Sequence, residues 1–153
     1  MRAAVALVVT SLTLGGGSAF AQPKAKALET TCDVIEVSAT SAKDAAIDSD
    51  IKHLEKKLSE FPASWNVFKR LSRASVTLEK SKAAKLDLKM GSGSATLVEI
   101  VDKSKLRIAI KLDYNGKRVV DSTVTVEAGD YVVVGHPISG AKKDGHLVAL
   151  TCK

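Results

Sequence analysis

Leu106-Arg107-Ile108-Ala109-Ile110-Lys111-Leu112-Asp113-Tyr114-Asn115-Gly116-Lys117-Arg118-Val119-Val120-Asp121-Ser122-Thr123-Val124-Thr125-Val126 is the stretch whose reading decides the fold. Apolar residues recur at every second position on both sides of Asn115-Gly116, which is the pattern of a β-hairpin. Leu106, Ile108 and Ile110 form one apolar row, and Val120, Val124 and Val126 form the other. A two-residue turn would pair Ile110 with Asp121 and place the rows on opposite faces, because a one-residue slip inverts a strand. A three-residue loop, Tyr114-Asn115-Gly116, pairs Ile110 with Val120, Leu106 with Val124 and Asp113 with Lys117. It also puts Gly116 where such loops need a left-handed residue. The sequence therefore predicts the three-residue register.

Strand-like segments continue in both directions: Cys32 to Ala39, Val76 and Leu78, Leu86 to Met90, Ala95 to Val101, Tyr131 to Val134, and His146 to Cys152. Gly91-Ser92-Gly93-Ser94, Asp102-Lys103-Ser104, Ala128-Gly129-Asp130 and a Gly-, Lys- and Asp-rich loop over 139–145 supply the turns. One region changes period. Asp48, Ser49 and Asp50 offer cap side chains, and Ile51, Leu54 and Leu58 recur at helical spacing until Phe61-Pro62. Ser64 opens a second short helical turn carrying Trp65, Phe68 and Leu71. These pieces have too little apolar surface for a bundle and are expected to cover one edge or end of a sheet. The fold class expected is mainly β: an antiparallel β-sandwich, or a partly open barrel, of about eight strands with a short helical insertion after the first.

The ends of the chain speak to compartment. Arg2, the apolar run Ala3 to Leu14 and the small-residue exit Ala19-Phe20-Ala21 have the layout of a signal peptide over residues 1–21. The apolar run is about a dozen residues, short of the roughly 20 a spanning helix needs. Residues 22–31 read as a flexible lead-in, and 32–153 as one domain. No later stretch is long and apolar enough to span a bilayer, so a periplasmic or secreted product is expected. Cys32 and Cys152 are the only two cysteines. In an oxidising compartment they are expected to form one disulfide between the first and last strands. Neither lies in a C-x-x-C pair, the pattern that would favour a redox or metal role.

Catalytic motifs are missing: there is no G-x-S-x-G elbow, P-loop or H-E-x-x-H. His53 faces away from the Ile51, Leu54, Leu58 stripe. His136 and His146 flank the loop before the last strand, each after a glycine, and with Asp144 could form a transition-metal site. The competing reading is a pair of rim histidines at strand ends, since no third ligand of clear spacing is visible. No cofactor is expected. Beyond the leader the aromatic residues are Phe61, Trp65, Phe68, Tyr114 and Tyr131, too few for a sugar- or base-stacking platform. Specific nucleic-acid binding is therefore not expected.

Charge is concentrated. Lys69, Arg70, Arg73, Lys80, Lys82, Lys85 and Lys89 face only Glu79 and Asp87 within residues 69–89, so this window holds the whole net positive charge of residues 22–153. Gathered on one surface, these cations would attract polyanions or acidic partners in a salt-dependent way. Spread along strands, they would serve to discourage edge-to-edge pairing.

Phe61-Pro62-Ala63-Ser64-Trp65-Asn66-Val67-Phe68-Lys69-Arg70-Leu71, Gly129-Asp130-Tyr131-Val132-Val133-Val134-Gly135 and Gly145-His146-Leu147-Val148-Ala149-Leu150 resemble a family of small exported bacterial β-rich proteins without assigned function. The resemblance covers about residues 32–152 and implies a β-rich exported domain, with no active site to transfer. The expected function is a non-catalytic binding or accessory protein of the bacterial envelope. Its partner would be a protein or an anionic envelope component. Adsorption to an anionic polymer or lipid surface through the basic window is one alternative. A metal-binding protein or metalloenzyme using His136 and His146 is another.

Overall fold

A computed structural model describes residues 28–138 and 144–153. The expected signal peptide, residues 22–27 of the lead-in and residues 139–143 of the last loop lie outside the described residues. Among the described residues nine strands form two sheets. They are β1 (Glu29–Thr40), β2 (Ala46–Ile47), β3 (Val67–Glu79), β4 (Ala83–Leu86), β5 (Ser92–Ile100), β6 (Lys105–Tyr114), β7 (Lys117–Glu127), β8 (Val132–Pro137) and β9 (Gly145–Cys152). One sheet has the order β2-β3-β1-β9-β8, and the other is the meander β4-β5-β6-β7. Among the described residues the strand pairings are antiparallel except the short β2–β3 one, and a single parallel bridge joins Lys80 to Leu97. The mainly β, sandwich-like class expected from the alternation is the one observed.

Three layers result. Cys32, Val34, Val148, Leu150 and Cys152 point between the sheets and meet Leu97, Ile108, Ile110 and Leu112. Ile35, Val37, Ala39, Leu147 and Ala149 point the other way, against Ile51, Leu54 and Leu58 of a helical segment over Ser49–Leu54 and Glu55–Leu58. The segment thus covers a face of the larger sheet, not an edge or end. β9 is buried along its whole length, which is why it reads as a continuous apolar run. A strand covered on both faces has no solvent side to fill with polar residues.

Cys32 and Cys152 are direct partners across β1 and β9, with Cα atoms 4.0 Å apart, and form a disulfide. First and last strands therefore lie side by side, as the two cysteines predict.

The register of the decisive hairpin differs from the expected one. The turn is two residues, Asn115-Gly116, with both φ angles positive at 50° and 74°, so Tyr114 pairs with Lys117. A bulge then skips Val119, giving Leu112↔Val120, Ile108↔Val124 and Leu106↔Val126. The bulge restores the inward face that an unbroken two-residue hairpin would lose. Both apolar rows stay in the core, shifted by two residues from the predicted pairing.

Three other segments differ from expectation. The helical turn expected after Ser64 amounts to one bond, from the Trp65 N–H to the Pro62 carbonyl. Phe68 and Leu71 belong to β3, where Phe68 pairs with Ala39. Ala46 and Ile47, which lie outside the strand-like segments of the sequence, form β2. β4 stops at Leu86, so Leu88 and Met90 lie in a turn closed by Gly91, whose φ is +71°. A side chain on Gly91 would meet the Asp113 carbonyl oxygen at 2.3 Å.

Candidate functional site

β1 carries a carboxylate in the middle of an apolar run, Val34-Ile35-Glu36-Val37. Alternation points Glu36 between the sheets, with Cys32 and Val34, and its side chain is fully buried. Two imidazoles continue the row. His146 of β9 lies diagonal to Glu36, and His136 of β8 is directly opposite His146. Sequence reasoning found the histidines and missed the glutamate. Its signal was visible: a charged residue on the inward register of a strand otherwise built for a core.

The three groups form a chain. Glu36 Oε1 is 2.8 Å from His146 Nε2, and His146 Nδ1 is 3.1 Å from His136 Nε2. His136 Nδ1 is 3.1 Å from the Pro137 carbonyl oxygen. Glu36 also accepts the N–H of Met90 on Oε1, and on Oε2 the N–H of Lys89 and the hydroxyl of Ser72. The amides of the 87–91 turn thus serve a carboxylate instead of extending β4. Tyr114, at the end of β6, lies over His136 with ring centroids 5.6 Å apart.

Proton positions follow from the partners. A carbonyl only accepts, so His136 Nδ1 carries a proton. One more proton lies in the His136–His146 bond and one in the His146–Glu36 bond. Burial pushes the Glu36 carboxyl up, but the bonds from Lys89, Ser72, Met90 and His146 outweigh it and hold it below its ordinary value of 4.5. The carboxylate is therefore ionised, and three protons over the four ring nitrogens give every bond of the chain one donor and one acceptor. Burial pushes His136 below its ordinary 6.5; the Pro137 carbonyl opposes this, and the charge on His146 adds to it.

This arrangement bears on the metal expectation for His136 and His146. Ligands must converge on one point, whereas here His146 spends one nitrogen on each neighbour. Glu36 sits on the far side of the His146 ring from His136. Among the described residues no three His, Cys, Asp or Glu side chains gather as a metal-ligand set.

The basic window is divided. Arg70 pairs with Asp50 at 2.7 Å, Arg73 with Asp33 at 3.4 Å and Lys82 with Glu79 at 2.5 Å. Lys69, Lys80, Lys85 and Lys89 make no ion pair among the described residues. Lys85 is exposed on β4 of the smaller sheet, whereas Arg70 and Arg73 lie on β3 of the larger one.

A concave surface lies elsewhere. A groove of about 460 Å³ opens beside β2, between the helical segment and the β2–β3 edge. Its apolar lining includes Ile47, Phe61, Trp65 and Phe68, and Lys52 and Glu55 stand among its polar residues. Phe61 and Trp65 stack with centroids 6.1 Å apart. Asn66 braces one wall by bonding both the N–H and the carbonyl of Ala42. Trp65 is the link to the buried chain, because its ring lies on the backbone of Gly145, next to His146. A Cβ on Gly145 would come within 2.4 Å of that ring.

No family model, curated protein or solved structure matches the chain.

Proposed function

We propose that the protein is an exported, non-catalytic binding protein of the bacterial envelope, and that the groove beside β2 is its ligand seat. The observation that carries this is the groove itself: a wall braced by Asn66, an aromatic floor, and a volume in the range of small-molecule sites. One lysine and one glutamate among its lining residues match a neutral or zwitterionic ligand with an apolar body. The closed hydrogen-bond chain supports the non-catalytic part, since every ring nitrogen of His136 and His146 is occupied within the protein. A general base needs a nitrogen facing substrate.

Trp65 is the only tryptophan, so its emission reports on the groove directly. The test is energy transfer from Trp65 to the neutral probe N-phenyl-1-naphthylamine. Saturable one-to-one transfer, indifferent to salt and lost in Ala63→Phe, is the expected result. Absence of transfer, or transfer that survives filling of the groove, overturns the proposal.

Lys69, Lys80, Lys85 and Lys89, without ion-pair partners among the described residues, favour a second reading: adsorption to an anionic envelope polymer or lipid surface. Binding to phosphatidylglycerol vesicles that falls steeply with salt and is lost on charge reversal of Lys80 and Lys85 would support it.

A further inference from the structure

We propose that the Glu36–His146–His136 chain is an acid-operated latch that holds Gly145 under Trp65 and thereby sets the shape of the groove. The latch rests on geometry. Four groups in series, Glu36, His146, His136 and the Pro137 carbonyl, are joined by three bonds of 2.8 to 3.1 Å. The chain is satisfied by one charge state only. With three protons on the four ring nitrogens, every bond has one donor and one acceptor. A fourth proton sets two N–H groups against each other across 3.1 Å, between His136 Nε2 and His146 Nδ1. Two buried imidazolium rings then face a single carboxylate. The bond between β8 and β9 side chains must break, and one ring must turn out.

The movement has a short path to the groove. His136 is paired directly with His146, and Pro137 with Gly145. Gly145 bears the Trp65 ring with no space between them. A shift of this strand end therefore withdraws the support under Trp65. The titratable groups that face the imidazoles are Glu36 from β1 and Tyr114 from β6. β3 contributes the Ser72 hydroxyl through Glu36, and the 87–91 turn contributes main-chain N–H groups, with the Lys89 side chain exposed. Burial and the neighbouring charge both delay uptake of the extra proton to below the ordinary imidazole range. The neutral-pH state is thus the closed one, and mild acid opens it. Release of a ligand on acidification rests on the groove being the ligand seat; the latch itself does not.

The experiment uses the protein without ligand. Imidazole proton NMR and Trp65 emission are followed together from about pH 8 to about pH 4.5, the span in which histidines change charge. The expected result is one proton taken up by the His136–His146 pair in step with a red shift of Trp65 emission. His136→Gln, which cannot take that proton, should abolish the shift. Trp65 emission that stays constant while the pair titrates overturns the latch. So does a red shift of equal size in His136→Gln. If that variant does not fold, the coincidence or separation of the two wild-type titrations decides. Failure of the groove as a ligand seat would appear separately, as no probe transfer from Trp65 at any pH.

Discussion

β1 and β9 are tied together at two places on the same face: by a covalent bond between Cys32 and Cys152, and, toward the other end, by a proton-bearing contact between Glu36 and His146. Between the ties lies an apolar interior of Val34, Val148 and Leu150 against the smaller sheet. The first tie needs no water-excluding partners and is indifferent to pH. The second exists only because two amides, a hydroxyl and a second imidazole complete it. An ionised carboxylate with such donors is stable in a core, and one without them is costly. The covalent tie limits the unfolded chain, whereas the polar one specifies how the two sheets meet at their far end.

Breaking each tie in turn should separate these roles. Replacing both cysteines, Cys32→Ser with Cys152→Ser, frees a loop of 120 residues and should lower unfolding stability by about 4–5 kcal/mol on a chain-entropy basis. Urea denaturation of the variant, and of the wild type under reductant, measures it. Glu36→Ala leaves the His146 ring and the donors from Ser72, Lys89 and Met90 without their acceptor and should cost about 3 kcal/mol or more. The same denaturation, compared at neutral pH, would show a much smaller loss if the chain were not charged.

Acid should act on the polar tie alone. Unfolded, the His136 imidazole takes up its proton near 6.5; folded, it does so only at lower pH. Between these values the unfolded chain binds more protons, so acid weakens the fold as pH falls from 6.5 toward the folded value. The decline should approach about 1.4 kcal/mol per pH unit for one proton. Glu36 adds its own loss below 4.5, with the same sign, because its folded value is also depressed. Denaturation midpoints across this range should show the slope in the wild type and a shallower one in His136→Gln.

Smaller effects sharpen the picture. Ser72→Ala removes one hydrogen bond to a charged acceptor and should cost about 1.5–3 kcal/mol in the same assay. Tyr114→Leu keeps an apolar cover over His136 but removes the ring contact, for a cost of about 1 kcal/mol.

Much of the architecture was legible from local chemistry. The inward valines and isoleucines of β6 and β7 announce a half-buried hairpin because side chains alternate across a sheet. Ile51, Leu54 and Leu58 announce a helical stripe, and all three are buried. The hairpin pairing was not legible, since a bulge at Val119 costs little locally and is chosen by the face it returns to the core. Phe68 and Leu71 fit a helical turn by spacing, but pairing of β3 with β1 overrides that local preference.

The buried site marks the same boundary. His136 and His146 stood out as histidines beside glycines, yet nothing near either in sequence identifies Glu36, which is 110 residues from His146. Alone, the amino-acid order determined the alternation, the helical insert and the presence of one cysteine in the first strand and one in the last. These depend on residue type and spacing along the chain. The sheet order, the hairpin register, the closed proton chain and the contact of Trp65 with Gly145 were decided only in three dimensions. Each depends on which distant strands come to lie side by side, and that follows from burying all the apolar faces at once.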